Sequence, residues 1–475
     1  MNSYHHFHHL IFIIMFCILN VYGQFVPETR VGHTTVYVDS QKRIYYIGGF
    51  NYNKSAPTEP DPISDFFFLN VNGSDMNFLT FTNLSSEVNL PLTVWHQSEL
   101  GGVNQDSIFI LGGVHWSDAE TNYVYSFDIN TNQLSIPAVQ GKSPPMRKGI
   151  SSVINEGKIY LFGGQTGNGR DAVYFNNFDI FDTINLNWQV GSLVNSPGTR
   201  VLYTATLVNG IIYYIGGRIQ YNVYSPLSEI YQYDIAKNIW SLKQATAVDL
   251  DSMPGSRVGH SAVLLNGKII IYGGFYTSAD TPYNIPAKET IAMLDVNTLV
   301  WSLPTFDVRK HNEIPNLAYH TATLVGTVMI ISFGNFTDIP TNIDQTNKVV
   351  YTFFIGDQLI TSDYLSVFDK QYSTNKTNPQ LPTTSSNNIN PQQPPSSSKV
   401  IIVGVAIGSV SAALAIFAGL SMIYKRSKRS QVPSGSVHND PNSSNGVQFN
   451  NDKYPTPQLA SQQLQHQRIQ DPEFP

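Results

Sequence analysis

Short apolar runs alternate with turn-forming residues along most of the chain. Arg257–Gly274 shows the unit clearly: an apolar run, the turn Asn266-Gly267, a second apolar run and the pair Gly273-Gly274. Two apolar runs joined by an Asn-Gly turn predict a β-hairpin. The stretch therefore predicts two antiparallel strands that end at a glycine pair.

The glycine pair returns at regular intervals of about 50–64 residues, a spacing typical of repeat architectures. Since one function needs one site and a scaffold needs the same residue in every unit, we predict a structural role for the pairs. They suit backbone conformations and close approaches that other residues resist. The five complete pairs are Gly48-Gly49, Gly112-Gly113, Gly163-Gly164, Gly216-Gly217 and Gly273-Gly274, and Phe333-Gly334 is a partial sixth copy.

Each glycine pair leads into two further strands. In the clearest copy, Ile230–Asp234 is an apolar-aromatic run ending in Asp, and Trp240 begins the next strand after a short turn. The unit is therefore a four-stranded antiparallel sheet whose two faces are both apolar. One such sheet cannot bury both faces, whereas six sheets arranged radially can, because each packs on the next.

The Gly pair, the strand ending in aromatic-x-Asp and the Trp that follows resemble the Kelch repeat. The resemblance covers residues 24–370 and implies an all-β fold, a six-bladed Kelch-type β-propeller. It leaves open whether Gln24–Arg30 forms a strand that closes the ring against the last blade.

The segments outside the repeats predict a membrane topology. Residues 1–23 are typical of a signal peptide, with the apolar run Leu10–Leu19. Residues 371–398 are polar and predict a disordered stalk, and residues 400–424 carry no charge and predict a transmembrane helix. The basic cluster Lys425–Arg429 favours a cytoplasmic end, followed by a disordered tail over 425–475. These features predict a single-pass type I protein of the cell surface or secretory pathway, with the propeller outside.

Two features of the predicted span and tail suggest interactions. Gly404 and Gly408 form a Gly-x-x-x-Gly pair that lets helices approach closely, so one interpretation is a homodimer through this face. Small residues are also common in spans that do not associate. A second hypothesis is a receptor that signals through its cytoplasmic tail.

Composition excludes several function classes. Charged residues are 13% of the chain and aromatic residues 12%, and the net charge is −6. With no basic run in the repeats, nucleic acid is not an expected partner. Cys17, the single cysteine, lies in the predicted signal peptide, so the mature chain would have no disulfide, thiolate ligand or cysteine nucleophile. We predict no metal site and no cofactor.

Loop length points to one face of the propeller. Within each unit the turns after the first and third strands are short, whereas the loop after the Gly pair and the linker to the next unit are long. These long segments emerge on the same face, and elaborated loops on a rigid scaffold commonly bind ligands. Candidate binding residues in them are His115, Trp116, Arg218, Tyr221, Tyr224, Tyr276 and Tyr283. Tyr and Trp suit contact with protein or glycan through stacking and hydroxyl hydrogen bonds.

The Arg-x-Gly-His segments that open the repeats contain chemically active residues, yet their recurrence favours packing. The openers are Arg30–His33, Arg147–Gly149, Arg257–His260 and Tyr319-His320, with weaker copies at Arg200–Thr204 and Trp95-His96. The resemblance extends to fungal galactose oxidases, whose copper site uses a tyrosine crosslinked to a cysteine. Without a cysteine in the mature chain, that crosslink cannot form. We therefore predict a non-enzymatic surface protein that binds protein or glycan, with a membrane-tethered galactose-oxidase-like enzyme as the alternative.

Five Asn-x-Ser/Thr sequons lie on the predicted outer side of the membrane. They predict N-glycosylation at Asn53, Asn72, Asn83, Asn335 and Asn375.

Overall fold

The computed structural model describes residues 25–53, 56–72, 80–115, 122–278, 284–306, 315–337, 346–356 and 359–365. The predicted signal peptide, stalk, span and tail lie outside these ranges, as do Trp116, Tyr283, Asn375, Gly404 and Gly408. Over the ranges given, no helix is long and apolar enough to cross a membrane.

Six four-stranded antiparallel sheets, called blades 1 to 6 in chain order, confirm the predicted propeller. In each blade the strands run outward in chain order. Blades 1 to 3 are β1 (Thr34–Val38), β2 (Arg43–Ile47), β5 (Phe66–Asn70) and β6 (Thr80–Asn83); β8 (Gln97–Gly101), β9 (Ser107–Leu111), β11 (Val124–Asp128) and β12 (Gln133–Ser135); β13 (Ser152–Asn155), β14 (Lys158–Phe162), β17 (Phe178–Asp182) and β18 (Asn187–Val190). Blades 4 to 6 are β19 (Thr204–Val208), β20 (Ile211–Ile215), β23 (Glu229–Asp234) and β24 (Ile239–Gln244); β26 (Ser261–Leu265), β27 (Lys268–Tyr272), β30 (Ile291–Asp295) and β31 (Val300–Ser302); β34 (Thr321–Val325), β35 (Val328–Ser332), β37 (Val350–Ile355) and β38 (Leu359–Leu365).

Short two-stranded ribbons, linker strands and 3-10 helices lie beside the blades. In blades 1, 3, 4 and 5 the residues after the Gly pair turn back into a two-stranded ribbon, and in blades 2 and 6 they pair with the opener. The ribbons are β3 (Phe50–Asn53) with β4 (Ala56–Pro62), β7 (Thr93–Val94) with β10 (Val114–His115), β15 (Gln165–Thr166) with β16 (Val173–Tyr174), β21 (Arg218–Gln220) with β22 (Val223–Tyr224), β28 (Phe275–Tyr276) with β29 (Ile285–Pro286), and β33 (Leu317–Ala318) with β36 (Asn335–Phe336). Two linker strands, β25 (Thr246–Ala247) and β32 (Thr305–Phe306), and two short 3-10 helices, Gly169–Asp171 and Leu250–Ser252, complete the described elements.

The core lies between the blades. Successive side chains of a strand point to opposite faces of its sheet. In β2, Tyr45 and Ile47 therefore pack toward Phe127 of blade 2, whereas Ile44 and Tyr46 pack toward blade 6. Because both faces are buried, the second strand of each blade, such as Lys268–Tyr272, is a nearly continuous apolar run with no alternation of polar residues.

Side-chain and backbone contacts close the ring between blades 6 and 1. The inner strands β1 and β34 are neighbours, and Thr35 Oγ1 lies 3.1 Å from Thr323 Oγ1. Tyr46 OH lies 2.7 Å from Ser332 Oγ, and Gly334 N donates to Arg30 O at 3.0 Å. All four strands of blade 6 come from the C-terminal end of the repeats, and residues 25–30 form no strand. The ring therefore closes without the strand that Gln24–Arg30 was considered to supply.

The long linkers shield the outer edges of the blades. β25 runs parallel to β31, and β32 runs parallel to β38, so each adds a fifth strand to the blade that follows it in the chain. Trp240 is 1% exposed, and its Nε1 donates to Ser192 O of the preceding linker at 2.7 Å. The long linkers, which were predicted to emerge on one face of the propeller, thus also cover exposed strand edges.

Candidate functional site

The opener arginines hold the Gly pairs in place. Arg30, Arg200 and Arg257 each donate from Nη1 to the carbonyl of the first glycine of their own blade, at 3.2, 3.0 and 2.9 Å. Arg257 also donates to Gly255 O at 2.9 Å and to Glu289 O at 2.8 Å. Burial lowers the pKa of Arg257 to about 10, so the guanidinium remains charged at neutral pH. These contacts support the structural interpretation of the arginines.

The opener histidines join neighbouring blades. In four blades the imidazole Nε2 lies against a hydroxyl at the start of the preceding inner strand. The pairs are His33–Thr321 (3.0 Å), His96–Thr34 (2.9 Å), His260–Thr204 (3.2 Å) and His320–Ser261 (2.7 Å). Burial lowers the pKa of His33, His260 and His320, the last to about 3, so these rings are neutral. Their repeated role is to join blades.

The glycine pair leaves room for these contacts. Gly273 and Gly274 have φ values of 68° and 91°. A Cβ on Gly273 would lie 2.9 Å from His320 Cε1 and closer still to Leu317 O, and a Cβ on Gly274 would lie 2.9 Å from His260 Cβ. A side chain at Gly273 would collide with the opener of blade 6, and a side chain at Gly274 would collide with the opener of blade 5.

The third opener residue reveals a pattern that sequence reasoning missed. Around the ring it alternates between glycine and a bulky residue: Gly32, Trp95, Gly149, Leu202, Gly259 and Tyr319. All six have positive φ, including 59° for Trp95, 54° for Leu202 and 59° for Tyr319. Bulky side chains rarely adopt this conformation, which costs of order 1–3 kcal/mol and clusters at functional sites. Aligning the openers would have exposed the alternation, but nothing in the sequence shows that the backbone is left-handed there.

The bulky residues meet over the centre of the long-loop face. The Trp95 and Tyr319 rings are in edge contact at 5.0 Å between centroids. A Cβ on Gly32 would lie 3.1 Å from the Trp95 ring, and one on Gly259 would lie 3.0 Å from the Tyr319 ring. Backbone bonds link them around the ring, such as Trp95 N to Gly32 O at 2.7 Å. We call Trp95, Leu202 and Tyr319 the central cap; it gives the face an apolar, partly exposed centre.

Loops of blades 3, 4 and 5 interlock beside the central cap. The Arg170 guanidinium lies 5.6 Å from the centre of the Tyr221 ring, which joins blade 3 to blade 4. Tyr224 OH lies 2.6 Å from Thr277 Oγ1 and accepts from Thr277 N at 2.9 Å, which joins blade 4 to blade 5. We call the segments 165–176, 218–225 and 275–278 the loop wall. Its contacts preorganise the long loops.

The structure brings together only part of the predicted binding set. Tyr221 and Tyr224 lie in the loop wall, and Tyr276 is 37% exposed beside them. Arg218 lies beneath these loops, only 3% exposed, in the ribbon strand β21. His115 is in β10, where its backbone pairs with Thr93, and its side chain lies outside the description. The structure therefore relates the tyrosines of blades 4 and 5 but says nothing of Trp116 or Tyr283.

The sequons differ in accessibility. Asn72 and Asn83 are exposed. Asn335 is 4% exposed and pairs through its backbone with Ala318, so a glycan on its side chain has no room in this fold. Asn53 lies in β3, with its side chain outside the description.

The acidic residues in the predicted turns serve the turns. Asp128 Oδ1 accepts from Asn130 N at 2.8 Å and Thr131 N at 2.9 Å, and these bonds lower its pKa. Asp295 Oδ1 likewise accepts from the backbone N of Asn297 and of Thr298, and its pKa is also lowered.

Glu99 of the inner strand β8 is different: burial raises its pKa to about 7, and Ser152 Oγ donates to it at 2.7 Å. Among the residues described, no three His, Cys, Asp or Glu side chains converge as a metal site.

Comparison with known families agrees with this architecture. A family model described as the attractin/LZTR1 β-propeller matches residues 108–358, slightly more than half of the chain. A second, described as the KLHDC2/KLHL20/DRC7 Kelch-repeats domain, matches residues 16–189.

Individual proteins show a more distant similarity. The chain is 30% identical over 179 residues to human Kelch domain-containing protein 3, covering 36% of this chain and 45% of that protein. It is 22% identical over 271 residues to bovine Kelch domain-containing protein 10, covering 53% and 57%. The chain thus spans about half the length of the curated relatives it matches. The solved structure of YjhT superposes with a TM-score of 0.52 at 12% identity, over 71% of this chain and 98% of that one, which shows the fold alone.

Proposed function

Because the chain belongs to the Kelch-type β-propeller family of the attractin/LZTR1 model, we propose that it is a protein-binding module whose long-loop face holds the partner. The observation that carries this proposal is the loop wall. Cross-blade contacts such as Tyr224 OH to Thr277 Oγ1 at 2.6 Å fix these loops before any partner arrives. Preordered loops reduce the entropy lost on binding.

The exposed surface of the loop wall has the composition of a protein interface. Arg170 is exposed, Tyr276 is 37% exposed, and Val173 and Val223 are 58% and 39% exposed. Arginine and tyrosine are enriched among the residues that dominate binding energy at interfaces. The short-turn face presents ordinary turns such as Asp234–Lys237. The long-loop face is therefore the better candidate.

We further propose that the module is displayed outside the cell as a type I membrane protein and is not an enzyme. The topology rests on Leu10–Leu19, the uncharged stretch 400–424 and the basic cluster after it. The absence of catalysis rests on the structural contacts that account for the opener Arg and His residues. Stoichiometric copper in the purified protein, together with oxidation of sugars or alcohols, would contradict this second part.

A glycan partner is a second candidate. It is favoured by the half-buried Tyr221 and Tyr224 and by the more exposed Tyr276, since such rings stack on sugars. A glycan array probed with the full chain tests it. Binding that disappears in Tyr276→Ala would support the glycan over the protein partner.

The experiment for protein binding uses a photo-crosslinking amino acid at Tyr276 or, as the control, at Lys237 on the short-turn face. A protein captured only from position 276 is then purified and titrated against the full chain. We expect Arg170→Ala with Tyr276→Ala to weaken its binding by roughly tenfold or more, and Lys237→Ala to leave it unchanged. Equal capture at both positions, or equal affinity of all three proteins, would overturn the proposal.

A further inference from the structure

The outer strand of blade 4 differs from those of blades 5 and 6 in what covers its edge. In blade 5 the linker strand β25 runs parallel to the outer strand β31, and Val248 N continues this pairing by donating to Trp301 O at 3.0 Å. In blade 6 the linker strand β32 covers β38 in the same parallel direction. The outer edge of a blade thus accepts an extended segment that runs parallel to it.

In blade 4 the linker leaves this edge early. Trp240, which begins the outer strand as Trp301 does in blade 5, donates from its backbone N to Val194 O at 3.4 Å. The linker then turns, because Ser196 N donates to Leu193 O at 3.1 Å. Among the residues described, no backbone donor of the linker reaches Trp240 O as Val248 N reaches the equivalent carbonyl of blade 5.

The outer strand β24 continues beyond this contact to Gln244, and its outward backbone groups are left open. Alternate residues of a strand direct their N–H and C=O groups to opposite neighbours. Since Trp240 N points away from β23, the backbone groups of Leu242 and Gln244 point outward as well. Within the described part of the chain, β24 pairs as a strand with β23 alone. Leu242 is 44% exposed, and Lys243 and Gln244 are exposed.

The side chains around this edge are apolar, with one positive charge. Leu193 and Val194 of the linker are 42% and 62% exposed, beside Leu242 of the strand. An open apolar edge is a template for pairing with another extended chain, and a lysine on the edge limits unspecific pairing. A carboxylate placed opposite Lys243 would neutralise its charge and stabilise the pairing. The edge therefore offers backbone groups, apolar contacts and a charge preference.

We propose that the outer edge of blade 4 binds an extended segment of a partner protein as a fifth strand parallel to β24. The segment has an acidic side chain beside Lys243 and apolar side chains beside Leu242 and Val194. It does for blade 4 what β25 and β32 do for blades 5 and 6. In strand addition of this kind, backbone bonds supply affinity and alternate side chains supply specificity. The site is on an outer strand and is separate from the long-loop interface proposed above.

The first test measures strand pairing directly. The probe is an acetylated and amidated peptide with the sequence of Ala245–Asp251, which contains β25 and the acidic residues Asp249 and Asp251. We expect it to bind the full chain saturably and to slow hydrogen exchange at the backbone amides of Leu242 and Gln244. Two further peptides carry N-methyl groups at one or the other set of alternate residues. Because only one set of N–H groups can face β24, one of them should lose roughly tenfold in affinity and the other should bind as before.

The second test changes the side chains of the edge. We expect Leu242→Asp to weaken binding of the peptide by roughly tenfold, because an apolar contact is replaced by a charge that repels it. Val103→Asp, at a 75% exposed position of blade 2, is the matched control and should bind as wild type does. Lys243→Glu should reverse the charge preference, so that a peptide with Lys in place of both Asp residues binds better than the original.

Several results would overturn the proposal. One is the absence of saturable binding by wild type, and another is an equal effect of the two N-methylated peptides. Slow exchange at Leu242 in the chain alone would show that the edge is already covered, by a second copy if the protection grows with protein concentration and by another segment of the same chain if it does not. Loss of peptide binding in Arg170→Ala with Tyr276→Ala would place the peptide on the long-loop face. Failure of the long-loop interface in its own experiment leaves the edge site intact.

Discussion

Blades 3 and 5 share one backbone design but use different side chains at equivalent positions. In blade 5, Arg257 donates to backbone carbonyls, whereas Arg147 of blade 3 forms an ion pair with Asp179 at 2.5 Å. His260 of blade 5 joins a neighbouring blade through Thr204, and blade 3 has Ile150 at that position. The left-handed glycine pair, by contrast, is common to both.

The difference separates two kinds of requirement within one repeat. What every complete unit shares, the conformation of the Gly pair, is imposed by the close approach of neighbouring blades. What varies, such as Ile150 against His260, is tolerated by the scaffold. Internal repeats thus provide their own control for interpreting a residue.

The substitution Gly273→Ala tests whether the Gly-pair conformation is needed for folding, and it has the largest expected effect on stability. We expect a loss of about 4 kcal/mol or more in the free energy of unfolding, because the Cβ would enter space held by His320 and Leu317 at a positive φ. Urea denaturation of the full chain measures it. Gly198→Ala, where a Cβ meets nothing within 4 Å, is the matched control and should change stability by less than about 0.5 kcal/mol. Equal effects would show that close packing does not explain the pair.

Arg257→Met tests whether the opener arginine is structural. The carbonyls of Gly255, Gly273 and Glu289 would lose a donor, and we expect a destabilisation of roughly 3 kcal/mol. Lys237→Met on the short-turn face should be nearly neutral. A stable Arg257→Met protein that has lost ligand binding would contradict the structural interpretation and favour a functional one.

The buried histidines predict sensitivity to acid. In the folded protein the pKa values of these histidines lie below the usual value of 6.5, and that of His320 is about 3. Between pH 3 and 6.5 the unfolded chain therefore binds more protons than the folded protein. Stability should therefore be retained above pH 6.5 and decline as the pH falls below it, by up to about 1.4 kcal/mol per pH unit for each histidine. Melting temperature against pH measures this. His320→Gln should flatten the slope, and an unchanged slope would argue against the neutral ring.

The raised pKa of Glu99 predicts a smaller dependence of folding stability on pH, with the opposite sign to that of the histidines. Its pKa is raised from 4.5 to about 7, so its contribution favours folding below pH 4.5 and is lost as pH rises through 7. Glu99→Gln should therefore stabilise the protein at pH 8 by up to about 3 kcal/mol and have little effect at pH 4. Equal effects at both pH values would indicate a packing change and not a titration.

Much of the fold was predictable because the repeats are regular. The spacing of the Gly pairs, the Asn-Gly turns and the strands ending in Asp predicted six four-stranded blades, and all six were found. The functional residues were harder to predict. Arg218 was placed in an open loop, but β21 buries it, because the residues after the Gly pair fold back against the opener.

The sequence by itself determined the number of blades, the order of strands and the face with long loops, because these depend on local periodicity and turn chemistry. Tertiary structure decided which residues meet across blades, such as Trp95 with Tyr319 and Tyr224 with Thr277. These residues are far apart in the chain, and only the closure of the ring sets their distances. It also decided that the opener of Arg257–Gly274, with its Arg and His, joins and supports blades.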